Sequence, residues 1–181
     1  MNKKIAMLDS FFTNNVLESA DEQEIVLTDD LNVYISRLLT KLAFVSESGY
    51  DNKSVFADIY MRVLISKELH EKTRLMKKIG DTSIIKLGFF PDSIKKALSF
   101  QYYKSMGIIG YRHVFRSTDI PVYNQICNRY DDCVSVIDGV RLLSIKNDII
   151  KLYEAWGKTG SRFARSRLIK LGMVIDKEGR A

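Results

Sequence analysis

Apolar residues recur every three or four positions along most of this chain, which is the spacing of helices with one buried face. The clearest stripe consists of Leu31, Ile35, Leu38, Leu42 and Val45. Similar stripes predict long helices over about residues 54–79, 121–143 and 147–171. Strand-like alternation does not occur, and only two prolines interrupt the sequence. The pattern therefore predicts an all-α fold, a single helical bundle of about six to eight helices.

The segment from residue 80 to 115 is the most apolar part of the chain and the richest in aromatic side chains. Gly80 and Asp81 together are typical of one helix ending and the next being capped. Gly88 and Pro91 indicate a second break, because proline suits the first turn of a new helix. The sequence thus predicts short helices that place this aromatic-rich segment at the centre of the fold.

Three glycines, Gly107, Gly110 and Gly160, lie within apolar helical stripes. A glycine inside a helix costs about 1 kcal/mol relative to alanine. Its presence on an inward face therefore indicates that another backbone passes close by. We predict that all three are packing glycines.

Charge divides the chain into an acidic beginning and a basic end. Residues 1–30 carry two lysines against seven carboxylates, and residues 158–181 carry seven basic residues against two carboxylates. We expect one domain over residues 1–181, with an acidic N-terminal segment (about 1–30) and a basic C-terminal helix and tail (about 147–181). No apolar run reaches the roughly 18 residues that span a bilayer. The chain is therefore expected to be cytoplasmic, without a membrane partner.

Catalytic and metal-binding patterns are not found in the sequence. The segment GKTGS at residues 157–161 is similar to part of a phosphate-binding loop, but Leu152 stands where that motif needs its first glycine. Neither histidine follows a glutamate by three residues, as bundle di-iron sites require. No catalytic or metal-ligating residue is predicted, and the cofactor is left open. The sequence favours a protein that is not an enzyme.

The aromatic segment also provides a candidate ligand pocket, since bundle cores often hold ligands. Two glycines would let a flat, haem-like ring approach a helix, and one histidine would ligate it. The candidate residues are Phe89, Phe90, Tyr102, Tyr103, Gly107, Gly110, Tyr111 and His113. The same residues fit a plain core in which the glycines permit close helix packing, and we favour that interpretation.

A cationic stripe on the last predicted helix is the candidate site for an anionic partner. It consists of Lys158, Arg162, Arg165, Arg167 and Lys170. Clustered cations on one helix can bind nucleic acid through its phosphates. The alternative is that the stripe pairs with the acidic residues Asp21, Glu22, Glu24, Asp29 and Asp30, in the same chain or in a partner chain. We favour this alternative because the acidic segment would repel phosphates.

Two stretches of the chain carry recognisable residue orders. Residues 80–114 contain Gly-Asp, Gly-Phe-Phe-Pro-Asp-Ser, Tyr-Tyr, Gly and Gly-Tyr in that order, and residues 148–172 contain Leu-Tyr-Glu-Ala-Trp, Thr-Gly-Ser and Leu-Gly. In both, the chain resembles a family of helical bacterial proteins without an assigned function. The resemblance implies a mainly helical, soluble protein. It implies no activity, cofactor or catalytic residue.

The leading functional hypothesis is a non-enzymatic protein that acts through protein–protein interaction or as a scaffold, with a homodimer as one form of that interaction. The first alternative is a carrier or sensor that binds an apolar or haem-like ligand in the helical core. The second is nucleic-acid binding through the basic C-terminal helix, which we favour less than a protein partner or self-association.

Overall fold

The structure is a computed structural model that describes residues 3–44, 53–94 and 97–175. Within those ranges it contains α-helices, two short 3-10 turns and no strand. The helices are α1 (Lys3–Glu22), α2 (Asp29–Phe44), α3 (Lys53–Ile65), α4 (Leu69–Gly88), α5 (Ala97–Thr118), α6 (Pro121–Asn128), α7 (Tyr130–Leu142), α8 (Ile149–Thr159) and α9 (Arg162–Lys170). The all-α prediction is confirmed. None of the described helices is long and apolar enough to cross a membrane.

Each of the three long helices predicted after residue 54 is in fact two helices. The breaks lie at residues 66–68, at Arg129 and at the pair Gly160 and Ser161. Both helices at each break bury an apolar side, so the apolar spacing continues across the turn and conceals it. Gly160 is the clearest case, because its left-handed φ of 67° ends α8. It is a C-cap and not the packing glycine that the stripe predicted.

The break predicted at Gly80 and Asp81 does not exist, because α4 runs through both residues. A Cβ at Gly80 would lie 2.8 Å from the Tyr111 ring, so this glycine makes room for a side chain. Asp81 accepts a hydrogen bond from the Tyr111 hydroxyl (3.0 Å) and pairs with Lys77 (2.6 Å). Gly80 and Asp81 therefore accommodate the Tyr111 side chain and do not end the helix.

The chain divides into two compact units, one with residues up to Thr40 and from Val134 onward, the other with Lys41–Cys133. The prediction of a single domain over residues 1–181 stays a prediction. In the first unit, α1 is held against α7 by Ser19, whose hydroxyl donates to the Val136 carbonyl (2.7 Å). A Cβ at Gly139 would overlap Ser19, so α1 approaches α7 closely at this glycine.

The second unit is built around the contact between α4 and α5. A Cβ at Gly110 would lie 2.6 Å from the Met76 carbonyl oxygen and 2.9 Å from the Gly80 backbone nitrogen. A Cβ at Gly107 would overlap the Tyr130 hydroxyl. The prediction that Gly107 and Gly110 are packing glycines is confirmed, with a neighbouring backbone at Gly110 and side chains at Gly107.

Candidate interaction surface

Helix α8 is defined by a cap at each end. Before its first residue, the Asp148 carboxylate accepts a hydrogen bond from the Lys151 backbone N–H at 3.1 Å. Hydrogen bonds from Lys151, first from its backbone and then from its side chain, lower the pKa of Asp148. After its last residue, Gly160 donates its N–H to the Trp156 carbonyl at 2.8 Å. These caps fix where α8 begins and ends.

The inward side of α8 packs on the core of the first unit. Leu152 is fully buried in one cluster with Phe163 and Leu168 of α9. Ala155 and Trp156 are partly buried against the same cluster. The orientation of α8 is therefore set by apolar packing on one side, which leaves its opposite side facing outward.

The outward side of α8 is also apolar. We define the α8 face as Ile149, Ile150, Tyr153 and Gly157. Ile150 is 73% exposed, and Ile149 and Tyr153 are about half exposed. A Cβ at Gly157 would meet no other described atom within 4 Å. Nothing described within the chain therefore accounts for a residue that costs about 1 kcal/mol relative to alanine in a helix.

The members of the α8 face have a simple arrangement around the helix. At 100° per residue, Ile150 and Gly157 are separated by two turns and point about 20° apart. Ile149 and Tyr153 lie on one flank of that line. The charged residues Lys151, Glu154 and Lys158 lie on the other flank, and all three are exposed. The face thus has a large residue, a gap, an apolar flank and a charged flank.

A second exposed apolar surface lies on α3 in the other unit. We define the α3 face as Tyr60, Met61, Leu64 and Ile65, which are between 42% and 72% exposed. Two residues that α3 buries are Phe56 and Ile59. The α3 face contains no glycine and no other feature that indicates what would cover it.

The cationic stripe predicted for the C-terminal helix is divided between α8 and α9, and the α9 part contacts the end of α1. Arg162 donates to the Gln23 carbonyl (3.0 Å), and Lys170 lies 3.4 Å from the Glu22 carboxylate. Arg167 lies 3.6 Å from the same carboxylate. Glu22 is the member of the five expected acidic residues that these two cations contact. Lys170 also donates to the Glu22 carbonyl at the C-terminal end of α1, where cations are favourable. Arg167 donates its hydrogen bonds to the Lys146 carbonyl and the Asn147 side chain (both 2.8 Å).

The remaining members of the stripe lie elsewhere. Lys158 is exposed on α8, 3.9 Å from Glu154, and Arg165 is half-buried on α9. The break at Gly160 and Ser161 is the reason that the five cations do not form one surface, because the stripe was predicted on a single continuous helix. The structure thus brings Arg162, Arg167 and Lys170 together.

The aromatic residues of the predicted ligand pocket are dispersed over the second unit. Tyr111 is fully buried and stacks on Tyr123, with ring centroids 6.1 Å apart. Tyr103 is buried against Phe56, whereas Tyr102 is half exposed. The other two aromatic members, Phe89 and Phe90, contact each other edge to face at 5.3 Å.

The two glycines of that pocket face protein atoms. The positions that a Cβ would take at Gly107 and Gly110 are occupied by the Tyr130 side chain and by the backbone of α4. His113 lies on α5 beside a small cleft with Met76 and Ile109. The structure therefore places Tyr103 and Tyr111 in the core and His113 at its edge.

Sequence reasoning missed a buried polar cluster in the first unit. Arg141 donates to Asp138 at 2.6 Å, and Ser161 donates to the other carboxylate oxygen of Asp138. The Ser161 hydroxyl also accepts the Ala164 N–H at 3.2 Å and so caps α9. The glycine followed by serine at residues 160–161 was the available signal, since glycine ends helices and serine begins them.

No protein family, curated protein or solved structure matches this chain. Among the described residues, no three His, Cys, Asp or Glu side chains form a group that could hold a metal ion. The resemblance to helical bacterial proteins stays a prediction. A proposal about function therefore depends on the surfaces described above.

Proposed function

We propose that this chain is a non-enzymatic protein-interaction protein, and that its first interaction is with a second copy of itself through the α8 face. The observation that carries the proposal is Gly157, an exposed helical glycine that lies beside Ile150 and Tyr153 with open space around it. A glycine on an apolar helix surface permits a second helix to approach closely. The chain itself supplies no helix at that position among the described residues.

The spacing on α8 is self-complementary. If two copies of α8 pack antiparallel around a point between Tyr153 and Glu154, Ile150 of each copy lies opposite Gly157 of the partner subunit. A two-fold interface uses the same patch twice, so one protrusion and one gap on the same face fit each other. The exposed Ile150 side chain would enter the space that Gly157 leaves.

The flanks of the α8 face also favour the antiparallel orientation of the two helices. A two-fold axis across the helices brings each flank against the same flank of the partner. Tyr153 would then meet its own copy with Ile149 on the same side of the interface, and Lys151 would lie near Glu154 of the partner subunit. A parallel arrangement would instead place the apolar flank against the charged one. Burial of the apolar flank stabilises the antiparallel arrangement.

The size of the surface indicates how strong the pairing should be. Helix α8 has 11 residues, and one such helix per subunit covers less than the roughly 800 Å² per partner of a standard interface. We therefore expect a reversible dimer with a dissociation constant on the order of micromolar. A scaffold that assembles and dissociates at cellular concentrations fits that range.

Sedimentation equilibrium on the full chain, from low micromolar to submillimolar concentration, tests the proposal. The unmodified chain should show a reversible monomer–dimer equilibrium. Gly157→Leu should raise the dissociation constant at least about tenfold, because the new side chain occupies the space needed by Ile150. The thermal stability of the monomer should not fall, since a Cβ at this exposed position meets none of the chain's described atoms within 4 Å.

The matched control removes exposed apolar groups from the α3 face. Met61→Ala with Ile65→Ala truncates two exposed apolar side chains on another helix. This double variant should leave the dissociation constant unchanged. A chain that is monomeric at all concentrations would contradict the proposal, as would a dimer lost in the α3 variant and kept in Gly157→Leu.

The nucleic-acid alternative is less well supported. Arg162, Arg167 and Lys170 already lie against Glu22 and carbonyls at the end of α1. Each phosphate contact on duplex DNA contributes a log–log salt slope near −0.9. Submicromolar binding with a steep slope, abolished by Arg162→Glu with Arg165→Glu, would favour this alternative. We expect weak binding instead.

The carrier alternative is also less well supported. The space beside Gly107 and Gly110 is taken by protein atoms, so a flat ring could not approach α5 there without displacing α4 or Tyr130. An absorbance spectrum and a native mass of the purified protein test this alternative. A visible absorption band with an added ligand mass would favour a haem-like carrier over the interaction protein.

A further inference from the structure

A small cleft in the second unit lies on the outer side of α5. It has a volume of about 270 Å³ and is lined by Met76 of α4 and by Ile109, Arg112, His113 and Arg116 of α5. The four α5 residues follow the i, i+3, i+4, i+7 spacing of one helix face. The cleft therefore combines apolar groups with one imidazole and two guanidinium groups.

The imidazole of His113 has an unusual environment in this cleft. Its Nε2 atom is buried, and it has no hydrogen-bond partner in the part of the chain that the structure describes. A buried nitrogen without a partner destabilises the folded chain, because it has lost its hydrogen bond with water.

The two arginines are exposed and close together on α5. Arg112 and Arg116 are one turn apart, and like charges at that spacing destabilise a helix. Within residues 3–44, 53–94 and 97–175, no carboxylate forms an ion pair with either guanidinium, whereas Arg129 and Arg141 both have an aspartate partner. The helix dipole favours a cation at Arg116, because this residue lies in the last turn of α5. It accounts neither for Arg112 nor for the buried nitrogen of His113.

The charge of Arg112 also acts on the neighbouring helix. Burial raises the pKa of the Cys127 thiol on α6, and the Arg112 guanidinium opposes that rise. Arg112 therefore gives this part of the α5 surface a positive potential. An anion at the cleft would interact favourably with that potential.

We propose that the cleft binds a small organic anion, an oxyanion group on a short apolar chain. The oxyanion lies between Arg112 and Arg116, which donate hydrogen bonds to it, and beside the His113 ring that lines the same cleft. The apolar chain lies against Met76 and Ile109. Alkyl carboxylates and alkyl phosphates share this chemistry. The site is separate from the α8 face, so the proposal does not depend on self-association.

The histidine content of the chain permits a direct test. There are only two histidines, and His70 is exposed on α4 while His113 lines the cleft. Imidazole NMR signals can therefore be assigned with a single His70→Gln variant. Octanoate and octyl phosphate, titrated separately into the full chain, should shift the His113 signals in a saturable manner and leave the His70 signals in place. Equal shifts at both histidines, or no shift with either probe at millimolar concentration, would overturn the proposal.

Two further probes separate the contributions of charge and apolar contact. Inorganic phosphate carries the oxyanion alone, and octanol carries the chain alone. Both should bind at least about tenfold more weakly than octyl phosphate. Equally tight binding of inorganic phosphate would contradict the role of Met76 and Ile109, and equally tight binding of octanol would contradict the role of the arginines.

A charge-matched pair of variants provides the control. Arg112→Gln with Arg116→Gln removes both guanidinium groups and should weaken octanoate binding at least about tenfold. Arg74→Gln with Lys78→Gln removes two exposed cations at the same i, i+4 spacing on α4, outside the cleft. This second variant should bind octanoate like the unmodified chain. Equal affinity of the two double variants for octanoate would overturn the proposal.

Discussion

Gly110 of α5 lies directly against the backbone of Gly80 in α4. A Cβ at Gly110 would be 2.9 Å from the Gly80 nitrogen and 2.6 Å from the Met76 carbonyl oxygen. Both neighbours are backbone atoms, so they cannot move aside as a flexible side chain would. The two helices are in backbone contact at this position, and the core of the second unit depends on it.

We therefore predict that Gly110→Ala lowers the free energy of unfolding by about 1–3 kcal/mol, and Gly110→Leu by more. Urea denaturation measures both. Gly157→Ala is the matched control, because a Cβ there meets no other described atom. At a concentration where the chain is monomeric, it should leave stability unchanged or raise it by up to about 1 kcal/mol. Equal losses at the two glycines would contradict the helix contact.

The buried carboxylate of Asp138 provides a second prediction. It lies 2.6 Å from Arg141 and accepts a hydrogen bond from Ser161, with side chains of the ion pair only 10% and 20% exposed. Asp138→Ala would remove the Asp138 carboxylate from a guanidinium that has little contact with solvent, so we expect a loss of about 3–5 kcal/mol.

A control for this change is available on the same helix. Asp131 pairs with Lys104 at 2.6 Å, but its side chain is 68% exposed. Asp131→Ala should change the free energy of unfolding by at most about 1 kcal/mol, because water replaces the lost interaction. Similar losses for both aspartates, measured by urea denaturation, would show that burial does not set the strength of the Asp138 interaction.

Alkaline pH provides a third prediction. Burial raises the pKa of the Cys133 thiol to about 12, above its ordinary value of 9.0. The folded chain therefore keeps a proton that the unfolded chain loses, so this contribution to stability is complete below about pH 9 and is lost as the pH rises toward 12. Between those values the free energy of unfolding should fall by up to about 1.4 kcal/mol per pH unit from this group.

The measurement compares the unmodified chain with Cys133→Ala at several alkaline pH values. The stability difference between them should change with pH above about 9, because the variant has no thiol to titrate. Cys127→Ala serves as a control with a half-buried thiol and should show a smaller change. Parallel stability curves for the unmodified chain and Cys133→Ala would contradict the prediction.

The fold class could be predicted from the sequence because apolar spacing reports helices directly. Leu31, Ile35 and Leu38 of the clearest stripe are all buried on α2. Helix ends were harder to predict. Apolar spacing continues across the turn at Gly160 and Ser161, since Leu152 and Phe163 on either side of it belong to one core cluster. Periodicity identifies the buried side of a helix and carries little information about where the helix stops.

The candidate surface could not be predicted from the sequence for a related reason. Ile150 and Leu152 are both apolar residues of α8, yet one is 73% exposed and the other is fully buried. A sequence in which both sides of a helix are apolar does not say which side the chain covers. In the sequence, Gly157 belongs only to a segment similar to a phosphate-binding loop. The role proposed for it depends on the open space around it in the structure.

The size relationship on the α8 face gives a fourth prediction. Gly157→Ile alone should prevent dimer formation, because isoleucine would then face isoleucine across the interface. Adding Ile150→Gly in the same chain exchanges the protrusion and the gap, so the double variant should dimerise within roughly threefold of the original affinity. Sedimentation equilibrium measures all three chains. Failure of the second change to restore the dimer would contradict the pairing of these positions.

Cross-linking between two single-cysteine chains tests the antiparallel α8 dimer most directly. One chain would carry Ile150→Cys and the other Gly157→Cys, both with Cys127→Ser and Cys133→Ala, and a short bismaleimide would join cysteines that lie close together. The account predicts that a mixture of the two chains gives a cross-linked dimer containing one of each, while either chain alone gives little product. Efficient cross-linking of either chain with itself, or no product in the mixture, would contradict it.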